Sequence, residues 1–364
     1  MKITINAAQF GKIVKKILPS VPKSTPMPIL ENILFRFNEG EMELTATNLQ
    51  TYQRITFRTE GEGKGHALIP GYMLSNLLNS LRGEINIKFT EHKMMIETEA
   101  GKYQISISRE IGDYPDFPQF DGISNVQVTP EAIIEGLNSV KYAVENSNGM
   151  RPALESVLME EKERGLNIVA TDGHVLAKYV IPGNYGHKNI LLPRDSVSVL
   201  EQFVSDIEDS FVGLFFDGKM IRVEKKDEVF LSRTIADKYP NYESVIPIDN
   251  EKTAKINKNK FLTAVKRLQI LNQQRTDKVI CTFSKEKLAI SVVNEFTTNT
   301  ARETIICEYN DEDIEILFNG FLLSETLSSF AGEEIIMKMK SPMTAVIIRE
   351  PAGDNIALIM PLRG

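Results

Sequence analysis

Hydrophobic positions along this chain follow two periods, and the switches between them mark the elements. From residue 7 to 18, Phe10, Ile13, Val14, Ile17 and Leu18 fall at helical spacing, with Asn6 placed to cap the helix. Past Pro19, Pro22, Pro26 and Pro28 the period drops to two. Ile33-Leu-Phe-Arg-Phe37, Glu41-Met-Glu-Leu-Thr-Ala46 and Tyr52-Gln-Arg-Ile-Thr-Phe57 predict antiparallel strands joined by Gly or Asn turns. A second helix follows Ile69-Pro70, with Leu74, Leu77, Leu78 and Leu81 on one face, and short strands close the stretch.

The same order then recurs. Pro28-Ile-Leu-Glu-Asn-Ile-Leu, Leu44-Thr-Ala-Thr-Asn48 and Ile69-Pro70 reappear about 124 residues later as Pro152-Ala-Leu-Glu-Ser-Val-Leu, Ile168-Val-Ala-Thr-Asp172 and Leu192-Pro193. A fainter copy runs from Lys278-Val-Ile-Cys281 through Leu288-Ala-Ile-Ser-Val-Val-Asn294 to Leu317-Phe318-Asn319. The middle copy opens a helix at Thr129-Pro130 that buries Ile133, Leu137, Val140 and Val144; its second helix, after Pro193, buries Val197, Leu200, Val204 and Ile207. In the last copy Asn257 opens a helix over 257–275 with Phe261, Val265 and Leu268 inside and Lys258, Lys260, Lys266 and Arg267 on its surface, and a partner helix carries Leu323, Leu327 and Phe330. The expected fold is therefore α+β, three domains (1–125, 126–249 and 250–364) each of two helices laid on antiparallel sheet.

Composition adds that 42% apolar and 25% charged residues suit an ordinary globular protein, and about 120 residues suffice for one core per domain. Cys281 and Cys307 read as reduced, half-buried thiols. Lys2-Ile-Thr-Ile-Asn6 alternates like a strand and is no secretory leader, and no apolar run is long enough to cross a bilayer, so a cytoplasmic protein without membrane attachment is expected. A net charge of −7 and a pI near 5.4 argue against a surface that coats nucleic acid all over. They leave room for a local basic stripe. The helices at 7–18 and 257–275 have basic outer faces without an acid, whereas the middle equivalent carries Glu131, Glu135 and Glu145 beside Lys141.

Catalytic chemistry finds little support. Asp172 and His174 in Ala170-Thr-Asp-Gly-His174 could form an acid/base pair, but no nucleophile motif accompanies them, and an Asp-Gly turn accounts for the string better. Gly61-Glu-Gly-Lys-Gly65 lacks the spacing of a phosphate loop, the Ser-x-x-Lys matches at Ser20 and Ser284 stand without companions, and His66, His92, His174 and His187 are scattered. No metal site and no cofactor are expected.

Six segments in order carry a resemblance over the full length: Pro28-Ile-Leu-Glu-Asn32, Arg151-Pro-Ala-Leu154, Val169-Ala-Thr-Asp-Gly-His174, Leu192-Pro-Arg194, Asp237-Lys-Tyr-Pro-Asn-Tyr242 and Ile359-Met-Pro-Leu-Arg363. On a threefold repeat they resemble the bacterial DNA polymerase III beta subunit family, the replicative sliding clamps. The resemblance implies the DNA clamp fold and a ring-shaped head-to-tail homodimer, with helices facing a central hole and sheets outside. Double-stranded DNA would thread the hole without sequence preference. The ring would tether the DNA polymerase III alpha subunit and other proteins bearing a clamp-binding motif, and a separate clamp loader would open it. The function implied is processivity in DNA replication; the protein would be no enzyme. The rivals are a three-domain protein-binding scaffold that does not encircle DNA, and a hydrolase built on Asp172 and His174.

The resemblance also carries site residues. DNA contacts would come from Lys12, Lys16, Lys23, Ser24, Asn148, Arg194, Lys266 and Arg267. A partner peptide would enter an apolar pocket lined by Arg151, Leu154, Thr171, Gly173, His174, Leu176, Pro240, Val245, Val346, Met360, Pro361 and Leu362. The dimer would close through Ile270 and Leu271 against Tyr103, Ile105 and Ile107 near the strand ending at Ser108. Tyr72, Pro152, Ala153 and the terminal Gly364 depart from the family's pattern.

Overall fold

The computed structural model describes residues 2–122, 124–147, 149–184, 189–271, 278–293 and 299–363. The first repeat runs β1 (Lys2–Asn6), α1 (Ala7–Ile17), β2 (Asn32–Asn38), β3 (Glu41–Thr47), β4 (Thr51–Arg58), a short β5 (Glu60–Glu62), β6 (Lys64–Pro70), α2 (Gly71–Ser80), β7 (Glu84–Phe89), β8 (Lys93–Glu97) and β9 (Lys102–Ser106). The second comprises β10 (Ser124–Val128), α3 (Pro130–Val140), β11 (Ser156–Lys162), β12 (Gly165–Thr171), β13 (Val175–Pro182), β14 (Ile190–Pro193), α4 (Arg194–Ser205), β15 (Val212–Phe216), β16 (Met220–Lys225) and β17 (Glu228–Arg233). The third repeats the order without a β5: β18 (Lys252–Asn257), α5 (Lys258–Gln269), β19 (Lys278–Ser284), β20 (Lys287–Val293), β21 (Thr300–Glu308), β22 (Ile314–Asn319), α6 (Gly320–Ser328), β23 (Glu334–Met339), β24 (Val346–Arg349) and β25 (Ile356–Ile359).

The expected caps form. Asn6 Oδ1 accepts from Ala8 N at 3.0 Å and Gln9 N at 3.2 Å, and Asn257 Oδ1 accepts from Lys260 N at 2.9 Å. Helix ends fall short of the apolar pattern: Leu81, Val144, Ile207 and Phe330 lie beyond α2, α3, α4 and α6, because an apolar position just past a helix, buried or, as at Ile207, half-buried, keeps the pattern going. The helix expected over 257–275 ends at Gln269, and its last residues lie outside the described segments. Lys258 corrects the surface assignment. It is buried, and its Nζ donates to Phe330 O at 2.7 Å, closing the carbonyl end of α6. Cys281 and Cys307 are both buried free thiols rather than half-buried, and burial pushes the Cys307 thiol up to about 11.

Residues 1–131 and 195–234 form one compact unit, and residues 132–194 and 235–364 form another. In the first, the strands order β10-β15-β16-β17-β4-β3-β2-β6 in one sheet and β5-β1-β7-β8-β9 in a second; α1 and α2 cover them, with Phe10, Val14, Leu74 and Leu78 packed on Phe35, Leu44, Ile87 and Ile96. In the other, twelve strands order β14-β11-β12-β13-β25-β24-β23-β18-β21-β20-β19-β22. There α3 approaches so closely that a Cβ on Gly136 would stand 2.4 Å from Ile168 Cδ1, which is why this helix tolerates a glycine at its centre. Among the described residues no helix is long and apolar enough to cross a membrane.

Each repeat contributes two four-strand halves, to one of which the first repeat adds the short β5. The half from the first repeat (β6-β2-β3-β4) joins the half from the second (β17-β16-β15-β10) through β4 and β17, where Tyr52 faces Leu231. The second repeat joins the third in the same way through β13 and β25, where Leu176 faces Leu358. Two halves are left over. Among the described residues β9 pairs only with β8, apart from a bridge of Ser108 to Leu68 just beyond it. Among the described residues β21 pairs, beyond its β20 partner, only with Lys255 and Ile256 of β18, at its Cys307–Glu308 end.

Candidate functional site

The anticipated DNA contacts fall into three groups. Lys12 on α1, Lys266 on α5, Arg194 at the start of α4 and Lys23 with Ser24 after α1 are exposed; the four cations among them make no ion pair within the described residues. Lys16 and Arg267 are exposed in part but already paired. Lys16 Nζ lies 3.0 Å from Glu228 Oε1 and 3.3 Å from Asp206 Oδ2. Burial works to lower its pKa, but the hydrogen bonds and charges of Glu228 and Asp206 outweigh it and hold the ammonium above its ordinary range. Arg267 Nε donates to Glu303 Oε1 at 2.8 Å and a second guanidinium nitrogen donates to Oε2, which raises the arginine and lowers the carboxylate. The missing acids of both helices are thus supplied from neighbouring elements. Asn148 lies outside the described residues. Tyr72 is half-buried with its hydroxyl donating to Val21 O at 3.2 Å, Pro152 is exposed and Ala153 is buried.

The expected pocket gathers around the turn between β12 and β13. Asp172 Oδ1 accepts from His174 N at 2.7 Å and Val175 N at 2.8 Å, while Thr171 Oγ1 donates to Val175 O at 2.6 Å and accepts from Gly173 N at 3.1 Å. Gly173 takes φ +89°, a left-handed conformation this turn requires. The carboxylate is therefore spent on the backbone, which answers the acid/base reading of Asp172. The His174 side chain is exposed, and its carbonyl accepts from Met360 N at 2.9 Å; two residues on, Leu362 N donates to Leu317 O at 2.7 Å. The apolar tail is strand β25 with its continuation pinned at both bonds.

Beneath the turn, Ala153, Leu158, Val169, Leu176, Leu191, Tyr242, Ala345 and Leu358 form one buried cluster, with Ile235, Tyr239 and Ile246 packed on it. Tyr242 is locked in place: its hydroxyl donates to Glu160 Oε1 at 2.6 Å and accepts from Asn167 Nδ2 at 3.1 Å. Leu154 and Pro361 are half-buried; Pro240 is exposed, as are Arg151, paired with Glu145 at 3.5 Å, and Val245. Pro240 also lines a cavity of about 330 Å³ with Leu158, Leu191, Tyr239 and Tyr242, which Thr171, His174, Leu176 and Met360 do not reach. Val346 is a correction. It is fully buried and pairs with Ile359, which pairs with Val175, so alternation turns all three to the face opposite Leu176; Ala345 and Ile347 share the face of Leu176 and Leu358. Leu358, Ala345 and Tyr242 were missed, although alternation with Met360 would have given Leu358.

Of the anticipated dimer residues, Ile270 and Leu271 stand exposed at 67% and 40%. Ile105 and Ile107 do not: both are buried in the core under α1 and α2, where Ile105 pairs with Met94, and Tyr103, opposite Ile96, packs half-buried beside them. What β9 leaves open is its backbone edge, not these side chains.

Family models of the DNA polymerase III beta subunit match residues 1–119 as its N-terminal domain, 127–241 as its central domain and 243–363 as its C-terminal domain. The chain is 26% identical over 370 residues to the beta sliding clamp of Buchnera aphidicola, covering both proteins fully. Its fold is similar to two crystal structures of sliding clamps bound to griselimycin. For that from Bartonella birtlesii the TM-score is 0.92 at 24% identity with both chains covered fully; for that from Pseudomonas aeruginosa it is 0.91 at 23% identity, with 100% of this chain and 99% of the other covered.

Proposed function

The chain belongs to the DNA polymerase III beta subunit family, whose members are replicative sliding clamps without catalytic activity, and from that premise we propose that two copies close head to tail around duplex DNA. The observation that carries this reading is the pair of unmatched half-sheets. Both internal joins use one strand of the β4 type against one of the β17 type in a shared register, and β21 and β9 are the third such pair; among the described residues their second edges meet nothing within the chain beyond the Cys307–Glu308 contact of β21 with β18 and the Ser108 bridge past β9. A second copy supplies each with what it lacks, and the exposed Ile270 and Leu271 are covered as the edges meet.

In such an assembly the cations on the helices face DNA. Lys12, Lys23, Arg194 and Lys266 act as weak phosphate contacts, joined by Lys16 and Arg267 to the extent that their acids release them, and Ser24 adds a neutral donor. Scattered cations on a chain of net charge −7 suit a device that holds DNA by topology and must slide. The turn at Thr171–Val175, the tail from Met360 and the cluster around Leu176 and Leu358 take a short apolar peptide from the polymerase alpha subunit, the clamp loader or another partner. The work belongs to the cytoplasm, where the bacterial chromosome is copied.

The test is retention on nicked circular DNA. The loaded protein should stay on the circle in high salt and leave when the circle is linearised, and its solution mass should be about 82 kDa, twice the 41.0 kDa chain. Release from the intact circle by salt alone, or a stable monomer, would favour a scaffold that does not encircle DNA.

A further inference from the structure

The turn that frames the peptide pocket exists twice in this chain. At the join of the first and second repeats, Thr47 Oγ1 donates to Thr51 O at 2.8 Å and accepts from Leu49 N at 2.9 Å, while Asn48 Oδ1 accepts from Gln50 N at 3.0 Å and Thr51 N at 2.7 Å. Every one of these bonds has its counterpart in Thr171, Asp172, Gly173, His174 and Val175. Leu49 even takes φ +72° where Gly173 takes +89°, a conformation a leucine adopts only when its surroundings impose it. The anchoring bond is repeated too: Arg233 N donates to Gln50 O at 3.0 Å as Met360 N donates to His174 O at 2.9 Å.

The shared register then matches the walls position by position. Tyr52 stands where Leu176 stands, and Leu231 where Leu358 stands. Ile221 pairs with Ser232 as Val346 pairs with Ile359, so the residue before each, Met220 or Ala345, occupies one equivalent place. Tyr114-Pro115 and Tyr239-Pro240 align the linkers, which sets Phe120 against Val245.

At three of these places the first join carries the larger side chain, Tyr52 against Leu176, Met220 against Ala345 and Phe120 against Val245, while Leu231 and Leu358 are alike. Tyr52, Met220, Leu231, Phe117, Phe120 and Val229 close on one another, and the Arg233 guanidinium lies over the Tyr52 ring at 5.9 Å. At the second join, Val245 and Met360 are left exposed at 56% and 39%. We propose that side-chain bulk at these positions, not backbone architecture, restricts partner-peptide binding to one site per chain: the first join is a copy of the pocket filled by its own residues. This rests on the reading of the second join as the peptide pocket.

Calorimetric titration with griselimycin separates the two claims. The unmodified protein should take up one equivalent per chain; no binding would sink the pocket reading itself. Ala345→Met alone, and combined with Leu176→Tyr, places the bulk of the first join in the second and should weaken binding at least tenfold. The converse variant, carrying Tyr52→Leu, Phe120→Val, Met220→Ala and Arg233→Met, should take up a second equivalent. Undiminished binding by Ala345→Met and its double variant, with one equivalent still bound by a folded converse variant, would overturn the proposal while leaving the pocket reading intact.

Discussion

Lys12 and Lys16 sit one helical turn apart on α1, yet only one of them is free to meet a phosphate. Lys16 is tied to Glu228 and Asp206, and Glu228 is shared with Lys225 at 3.3 Å, so Lys16 holds the end of α1 against β17 and the end of α4. A partly exposed pair of this kind contributes up to about 1 kcal/mol, far below the roughly 3–5 kcal/mol expected for truncating a buried side chain such as Phe10. Lys12→Glu should therefore weaken retention on circular DNA and leave the melting temperature unchanged. Lys16→Glu, which sets a third acid beside two, should weaken retention and also lower the melting temperature by about 2–4 °C. Equal melting of the two variants would return Lys16 to the plain DNA contacts. The distinction was out of reach in the sequence, since Glu228 lies 212 positions from Lys16. Lys258 was misplaced for a similar reason: its acceptors, Phe330 O and Ala331 O, lie just past the end of α6, more than 70 residues on.

Elements were far more legible than their partners. Period-two alternation located strands such as β2, β3 and β4, and Asn6 and Asn257 marked helix starts, because those signals are local and set by burial on one face. Which edge joins which is not local. Nothing in β4 or β13 announces that it pairs with a strand of the following repeat, and a one-residue error in face, as at Val346, follows when alternation is read without register. The repeated joins suggest what the free edges require. In the register of Tyr52 with Leu231, β21 of one copy would lie along β9 of another with Ala301 facing Tyr103 of the partner subunit, and Ile270 and Leu271 would be covered beside it. Replacing Ile270 and Leu271 together by Lys should shift the mass from about 82 kDa toward the 41.0 kDa chain, with the far-ultraviolet dichroism unchanged. A dimer that survives this change at micromolar concentration would remove the two residues from the interface.

At the scale of the whole molecule, the proposed DNA contacts and the proposed partner pocket draw on different parts of the chain, so the two tasks should be separable. The tail shows this most directly. Strand β25 keeps its pairs with β13 and β24 through Ile359, so removing residues 360–364 deletes the bonds to His174 O and Leu317 O and the Met360 wall but not the strand itself. The edges of β9 and β21, and the cations on α1 and α5, lie elsewhere in the sequence. The truncated chain should therefore still run at about twice its subunit mass and still be retained on circular DNA. Its binding of a polymerase-derived peptide should fall at least a hundredfold, by about 2.7 kcal/mol or more. Should a pull-down with the polymerase alpha subunit persist after the truncation, the partner would have to engage another face, and the cluster around Leu176 and Leu358 would revert to ordinary core. Should the dimer fall apart instead, the tail would be holding the third repeat together, and the separation of the two tasks along the chain would be wrong.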